Sequence, residues 1–209
     1  MIHSAKVFED KTGLDRIVFF SDAVMAIAIT LLVIELKVPE IARELVNTQL
    51  LSALLKLWPR IVSYILSFAI ISNYWLYHHR TFRNIRRYDY HLIILNLIYL
   101  FFVALLPFTT RLLGLYPYTR LAVVIYSINV FPLGVVMFEI LRYAYVGNRL
   151  IDESITPTEI RHLIHFTTRG ATVFIFCIVV SIIFPKVTFI VWLLAFIGRS
   201  TLRRRMRVE

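Results

Sequence analysis

The sequence predicts an all-α, polytopic membrane protein with six transmembrane helices. Two observations predict it. Hydrophobic residues make up 59% of the 209 residues and charged ones only 17%, with a mean hydropathy of +0.74; a soluble domain carries about 25% charge. The apolar residues also come in long uncharged runs, whereas an outer-membrane barrel shows alternating strands of about 10 residues. This composition excludes a soluble enzyme, a disordered tail and a disulfide scaffold. The one cysteine, Cys177, cannot form an internal disulfide.

Spanning a bilayer takes about 20 mostly apolar residues, fewer where flanking Lys and Arg reach the headgroups. The runs 61–77, 92–110, 121–138 and 170–185 meet this demand directly. The run 23–34 needs Asp22 and the Phe19-Phe20 region, and 187–198 needs Lys186 and Arg199. The expected helices are about 16–38, 56–79, 90–113, 119–143, 160–184 and 187–203, forming one domain over 1–209. Punctuation agrees. Pro39 is expected to end the first helix. Leu115-Tyr116-Pro117-Tyr118 is a short aromatic turn, and Gly147-Asn148 breaks the chain after the fourth helix. Thr156-Pro157-Thr158-Glu159 reads as a capping box opening the fifth helix, and Pro185 separates the last two.

Orientation follows from the basic residues. Sixteen of the 23 Lys and Arg fall on the side that holds both termini, including Arg80, Arg83, Arg86, Arg87 and the run Arg203-Arg204-Arg205. Both termini are therefore expected in the cytoplasm, with the chain a multi-pass protein of the cell's inner (plasma) membrane and no cleaved signal peptide. The net charge of +10 then reflects cytoplasmic loops and contact with the lipid bilayer, not nucleic acid.

The unusual feature is Asp22, at the start of an apolar helix. An ionisable group in a spanning helix costs about 2.5–3.5 kcal/mol, so it must face protein or water. At 100° per residue, Ala23, Ile27, Thr30, Leu31 and Ile34 share roughly 80–100° of arc, while Asp22 lies about 140° from Ile27. Two arrangements satisfy both faces: a helix buried on all sides, or one lining a narrow pore with Asp22 bonded to helices behind it. The second helix ends in Trp75, His78 and His79, whose N–H groups can donate to a carboxylate at similar depth. Adjacent histidines point about 100° apart and share a metal poorly, and no cysteine lies near, so no metal site is expected. His162 and His165 read as solvated, and Asn96 and Asn129 as hydrogen-bonding links between helices. There is no Gly-Tyr-Gly filter, P-loop, GxGxxG or serine elbow, and no ladder of arginines.

Arg16-x-x-x-Phe20-Ser21-Asp22, followed by Ala23 to Leu32, resembles the R-x-x-x-F-S-D signature of the transmembrane protein 175 family of potassium channels. Asn73 to Arg80 is similar to that family's tryptophan–histidine segment, and Asn96 to Phe108 to its third helix. The resemblance spans about 100 residues and implies a homotetramer whose central pore is lined by the first helix. It implies that Ile27 forms the narrowest constriction, that Leu31 and Ile34 form further apolar rings, and that Thr30 forms a hydroxyl layer contributing to cation preference. Arg16, Ser21 and Asp22 are implied to tie the first helix to its neighbours, with Trp75 and either His78 or His79 as partners. The function implied is passive conduction of potassium among monovalent cations, with no enzyme chemistry and no cofactor. The alternative is a proton-coupled transporter that titrates Asp22 or a histidine.

Overall fold

The computed structural model describes residues 7–145, 150–151, 156, 158, 178–184, 186 and 191. Five α-helices have both ends among the described residues: α1 (Lys11–Ile34), α2 (Val46–Lys56), α3 (Trp58–Arg83), α4 (Tyr90–Leu115) and α5 (Arg120–Tyr145). Among the described residues α1, α4 and α5 are long and apolar enough to cross a membrane, and α2 with α3 qualifies as a fourth, broken span. Most of the expected helices 160–184 and 187–203 lies outside the described residues, as do His162, His165, Cys177 and the Arg203-Arg204-Arg205 run; Ile178 to Ile183 are helical.

Several helix ends have a local cause. α1 begins five residues before Arg16 because the Asp10 carboxylate caps it, accepting from the Thr12 and Gly13 amides at 3.0 Å. It stops at Ile34, with Glu35 as its C-cap, five residues short of Pro39; the proline restricts only Val38, so it does not itself set the helix end. Residues 46–55, expected to lie between the first two helices, belong to α2, which runs on to Lys56. Pro59 then separates α2 from α3: it lacks an N–H and its ring crowds the carbonyl four residues back, so the two helices meet at a 47° bend near Leu57. Asp89 caps α4 through the Leu92 amide at 2.9 Å. Pro107 and Pro132 sit inside α4 and α5. Near Pro107, the Thr109 and Thr110 hydroxyls donate to the Leu106 carbonyl.

α4 is the central helix, packed against α5, α3 and α1. The core joins Met25 and Leu32 of α1 to Ile71 and Tyr74 of α3, Tyr99 and Leu106 of α4, and Tyr126 and Leu133 of α5. Buried polar pairs cross it. The Ser67 hydroxyl lies 2.9 Å from that of Tyr126 and 2.7 Å from that of Thr110, linking α3, α4 and α5. Asn129 donates to Thr109 across the α4–α5 interface, as expected of a linking asparagine. At the N-terminal end, Phe8 and Tyr88 exchange two backbone hydrogen bonds and stack at 5.4 Å, fastening the segment before α1 to the α3–α4 loop.

Candidate functional site: the first helix and its polar anchor

Of the three single helices among the described residues that are long and apolar enough to cross a membrane, α1 is the most apolar and the least covered. Only 22% of its spanning stretch is buried, against 44% for α4 and 50% for α5. The buried positions, Leu14, Ser21, Met25, Ala28 and Leu32, recur at sevens, fours and threes and so share one side. The opposite side carries Ile27, Leu31 and Ile34, which are 58%, 43% and 66% exposed. Ala23 and Thr30 are exposed on the same stripe. The Thr30 hydroxyl donates to the Ile27 carbonyl at 2.9 Å, so its oxygen lone pairs remain turned to the open face.

The other flank of α1 is held by two polar links. In the first, Trp75 of α3 donates its indole N–H to Asp22 at 2.8 Å, and His79 stacks on Trp75 with ring centroids 5.4 Å apart. In the second, Asn96 of α4 joins Ser21 to His78. The Ser21 hydroxyl donates to the Ile17 carbonyl at 2.8 Å. Its oxygen therefore accepts, and the Asn96 amide nitrogen donates to it at 2.9 Å. That orients the Asn96 carbonyl toward His78 at 3.0 Å, which assigns the proton to His78 Nε2. His78 and Ser21 are wholly buried and Asn96 nearly so. The His78 ring is sandwiched by Phe82 at 4.1 Å and Tyr99 at 5.7 Å. Rotation of α1 would break both links at once, because Ser21 and Asp22 project to α4 and α3 respectively.

Neither histidine bonds Asp22 directly: His78 reaches α1 through Asn96, and His79 backs the tryptophan. Arg16 and Phe20 do not join these links. Both are exposed, bordering an open groove between α1 and α4 that Gly13, Tyr88, Ile93 and Leu97 complete. Two residues with structural weight here were not singled out as site residues from the sequence. Asn96 reads as a generic helix link, with nothing in its spacing to name Ser21, 75 positions away. Asp89 is fully buried, capping α4 while accepting from Tyr143 of α5; its place just before an apolar run is an N-cap signal that could have found it. Among the described residues no three His, Cys, Asp or Glu side chains converge on a common point.

Comparison with known proteins places this arrangement. The sequence model of the family described as the endosomal/lysosomal potassium channel TMEM175 matches residues 16–107, from the start of the Arg16 signature through the α4 proline. A protein of Chamaesiphon minutus named a potassium channel is 37% identical over 156 residues, covering 73% of this chain and 75% of its own length. The Mus musculus protein named endosomal/lysosomal proton channel TMEM175 is 28% identical over 180 residues, 84% of this chain but 36% of its own. A crystal structure described as a lysosomal potassium-selective channel TMEM175 homolog from Chamaesiphon minutus superimposes with a TM-score of 0.78 at 30% identity, over 91% of this chain and 98% of that one. With an uncovered apolar helix, a polar anchor behind it and a relative of 37% identity matched over 75% of its length, the chain belongs to the TMEM175 family of membrane ion channels, which are not enzymes.

Proposed function

We propose that this chain is a potassium-permeable channel, assembled as a homotetramer around a central pore lined by α1. Ile27 forms the narrowest ring, Leu31 and Ile34 form further apolar rings, and Thr30 adds a hydroxyl layer that tunes cation preference. The observation that carries this reading is the open apolar stripe of α1, set opposite its buried side. Four such stripes around an axis make stacked apolar rings, which close by dewetting and pass a partly hydrated ion when slightly wider. No carbonyl cage is available from this helix, so selectivity is weaker than in channels that have one. Asp22–Trp75 and Ser21–Asn96–His78 hold the stripe inward, with Arg16 and Phe20 completing the anchor at the contact between copies. Both termini are cytoplasmic, as the arginine distribution implies, and the membrane is the cell's own plasma membrane. The permeant ion is the only ligand required.

The test is ion flux in liposomes holding the purified chain, with no energy source. Wild type passes potassium down its gradient. Ile27→Asn raises the rate by wetting the constriction, and Thr30→Ala lowers the preference for potassium over sodium. If both variants leave rate and preference unchanged, α1 does not line the path. Uphill movement that stops in a folded Asp22→Asn variant would replace the channel with a proton-coupled transporter. The vertebrate relatives named proton channels make proton flux the second reading to measure in the same vesicles.

A further inference from the structure

At the end of the bundle away from the N terminus, α1, α3 and α4 part around a cavity of about 250 Å³. Its wall includes Leu32, Glu35, Lys37, Arg60, Thr110 and Arg111. The helices are brought together at its edge by Gly114: a Cβ there would stand 3.0 Å from the Arg60 Cα and 3.3 Å from its Cγ. That close approach fixes the base of the Arg60 side chain in the wall. Three cations face one carboxylate in this space. Glu35 is already taken by Arg111 at 3.2 Å. Arg60 is half-buried and Lys37 is exposed, and neither has an ion-pair or hydrogen-bond partner among the described residues. The Thr110 hydroxyl is committed to Leu106 and Ser67. The site therefore holds two positive charges in excess, and a half-buried guanidinium without an anion is costly beside a bilayer.

The depth of the cavity points to the membrane interface. Trp58, two residues before Arg60, lies against Tyr118 of the α4–α5 turn with ring centroids 6.4 Å apart. Paired amphipathic rings of this kind mark headgroup level. Leu36 and Leu115 give the cavity an apolar wall beside the cations. We propose that the cavity binds one phosphate oxyanion, presented by an anionic phospholipid headgroup or as the free ion. The Arg60 fork takes two phosphate oxygens, Lys37 adds a compact charge, and Arg111 is shared between the anion and Glu35. Leu32, the α1 residue in the wall, belongs to the buried side of the helix, so the site stands whether or not the opposite stripe lines a pore.

Native mass spectrometry of the purified full chain, titrated with phosphatidylglycerol or phosphatidylcholine, tests it. Phosphatidylglycerol binds in preference, and Arg60→Gln and Lys37→Gln each weaken it about fivefold, while Lys56→Gln on α2, outside the cavity, does not. Gln keeps the Cβ and Cγ that pack on Gly114, and Lys37 lies outside any helix, so at least one variant retains the fold. A second arm melts delipidated protein in inorganic phosphate or chloride at equal ionic strength. A phosphate-dependent rise that Arg60→Gln abolishes, with phosphatidylglycerol binding unaltered by the variants, assigns the site to the free ion. Phosphatidylglycerol affinity equal in wild type and both variants, with no phosphate-dependent rise, overturns the proposal.

Discussion

Replacing Asn96 with leucine removes both bonds of the link between α1 and α3. The amide nitrogen no longer reaches Ser21 at 2.9 Å, and the carbonyl no longer accepts from His78 at 3.0 Å. Interhelical hydrogen bonds in membranes contribute about 0.6 kcal/mol on average and about 1.7 at most, so two give a loss of about 1–3 kcal/mol. The site lies toward the upper end, because Ser21 and His78 are wholly buried and find no replacement. The neighbouring variant sharpens this. His78 already lies between Phe82 and Tyr99, so phenylalanine fits its slot and removes the orphaned N–H. Asn96→Leu combined with His78→Phe should then be no less stable than Asn96→Leu alone, whereas independent sites would add. The assay is reversible SDS unfolding of the purified chain, read by tryptophan fluorescence. A folded Asn96→Leu within about 0.5 kcal/mol of wild type, or strict additivity in the double variant, would refute the linked arrangement.

Trp75→Phe leaves Asp22 without its 2.8 Å donor and should cost about 1 kcal/mol; the same unfolding assay should show Asp22→Asn adding little once Trp75 is gone. Gly114→Ala places a methyl 3.0 Å from the Arg60 backbone, a contact that no side-chain rotation relieves. It should force α3 and α4 apart at a cost of about 1–3 kcal/mol, visible as a lowered melting temperature, while Gly134→Ala, which meets only the end of the Tyr74 side chain, should be milder.

Much of this arrangement is legible along the chain because it is a matter of period and local chemistry. Long uncharged runs mark the helices that cross the bilayer, and 100° steps separate Asp22 from Ile27 without any knowledge of neighbours. The misplaced helix ends are local too: Asp10 as a cap and Pro59 as a break are readable signals. The short α2 escapes hydropathy because the polar run Asn47-Thr48-Gln49, Ser52 and Lys56 interrupt its two leucine pairs and none of its residues is buried.

The sequence alone determined that the chain lives in a membrane, that its first helix has an oily stripe and that an acid stands off that stripe. Tertiary structure alone decided that of Trp75, His78 and His79 it is Trp75, 53 positions away, that bonds Asp22 directly, that Asn96 bridges Ser21 to His78, and that Arg60 has no counter-charge among the described residues beside Gly114. The reason is that a helical face depends on angles within one segment, whereas a donor finds its acceptor only through the depth and rotation of separate helices, which are set by packing along their whole lengths.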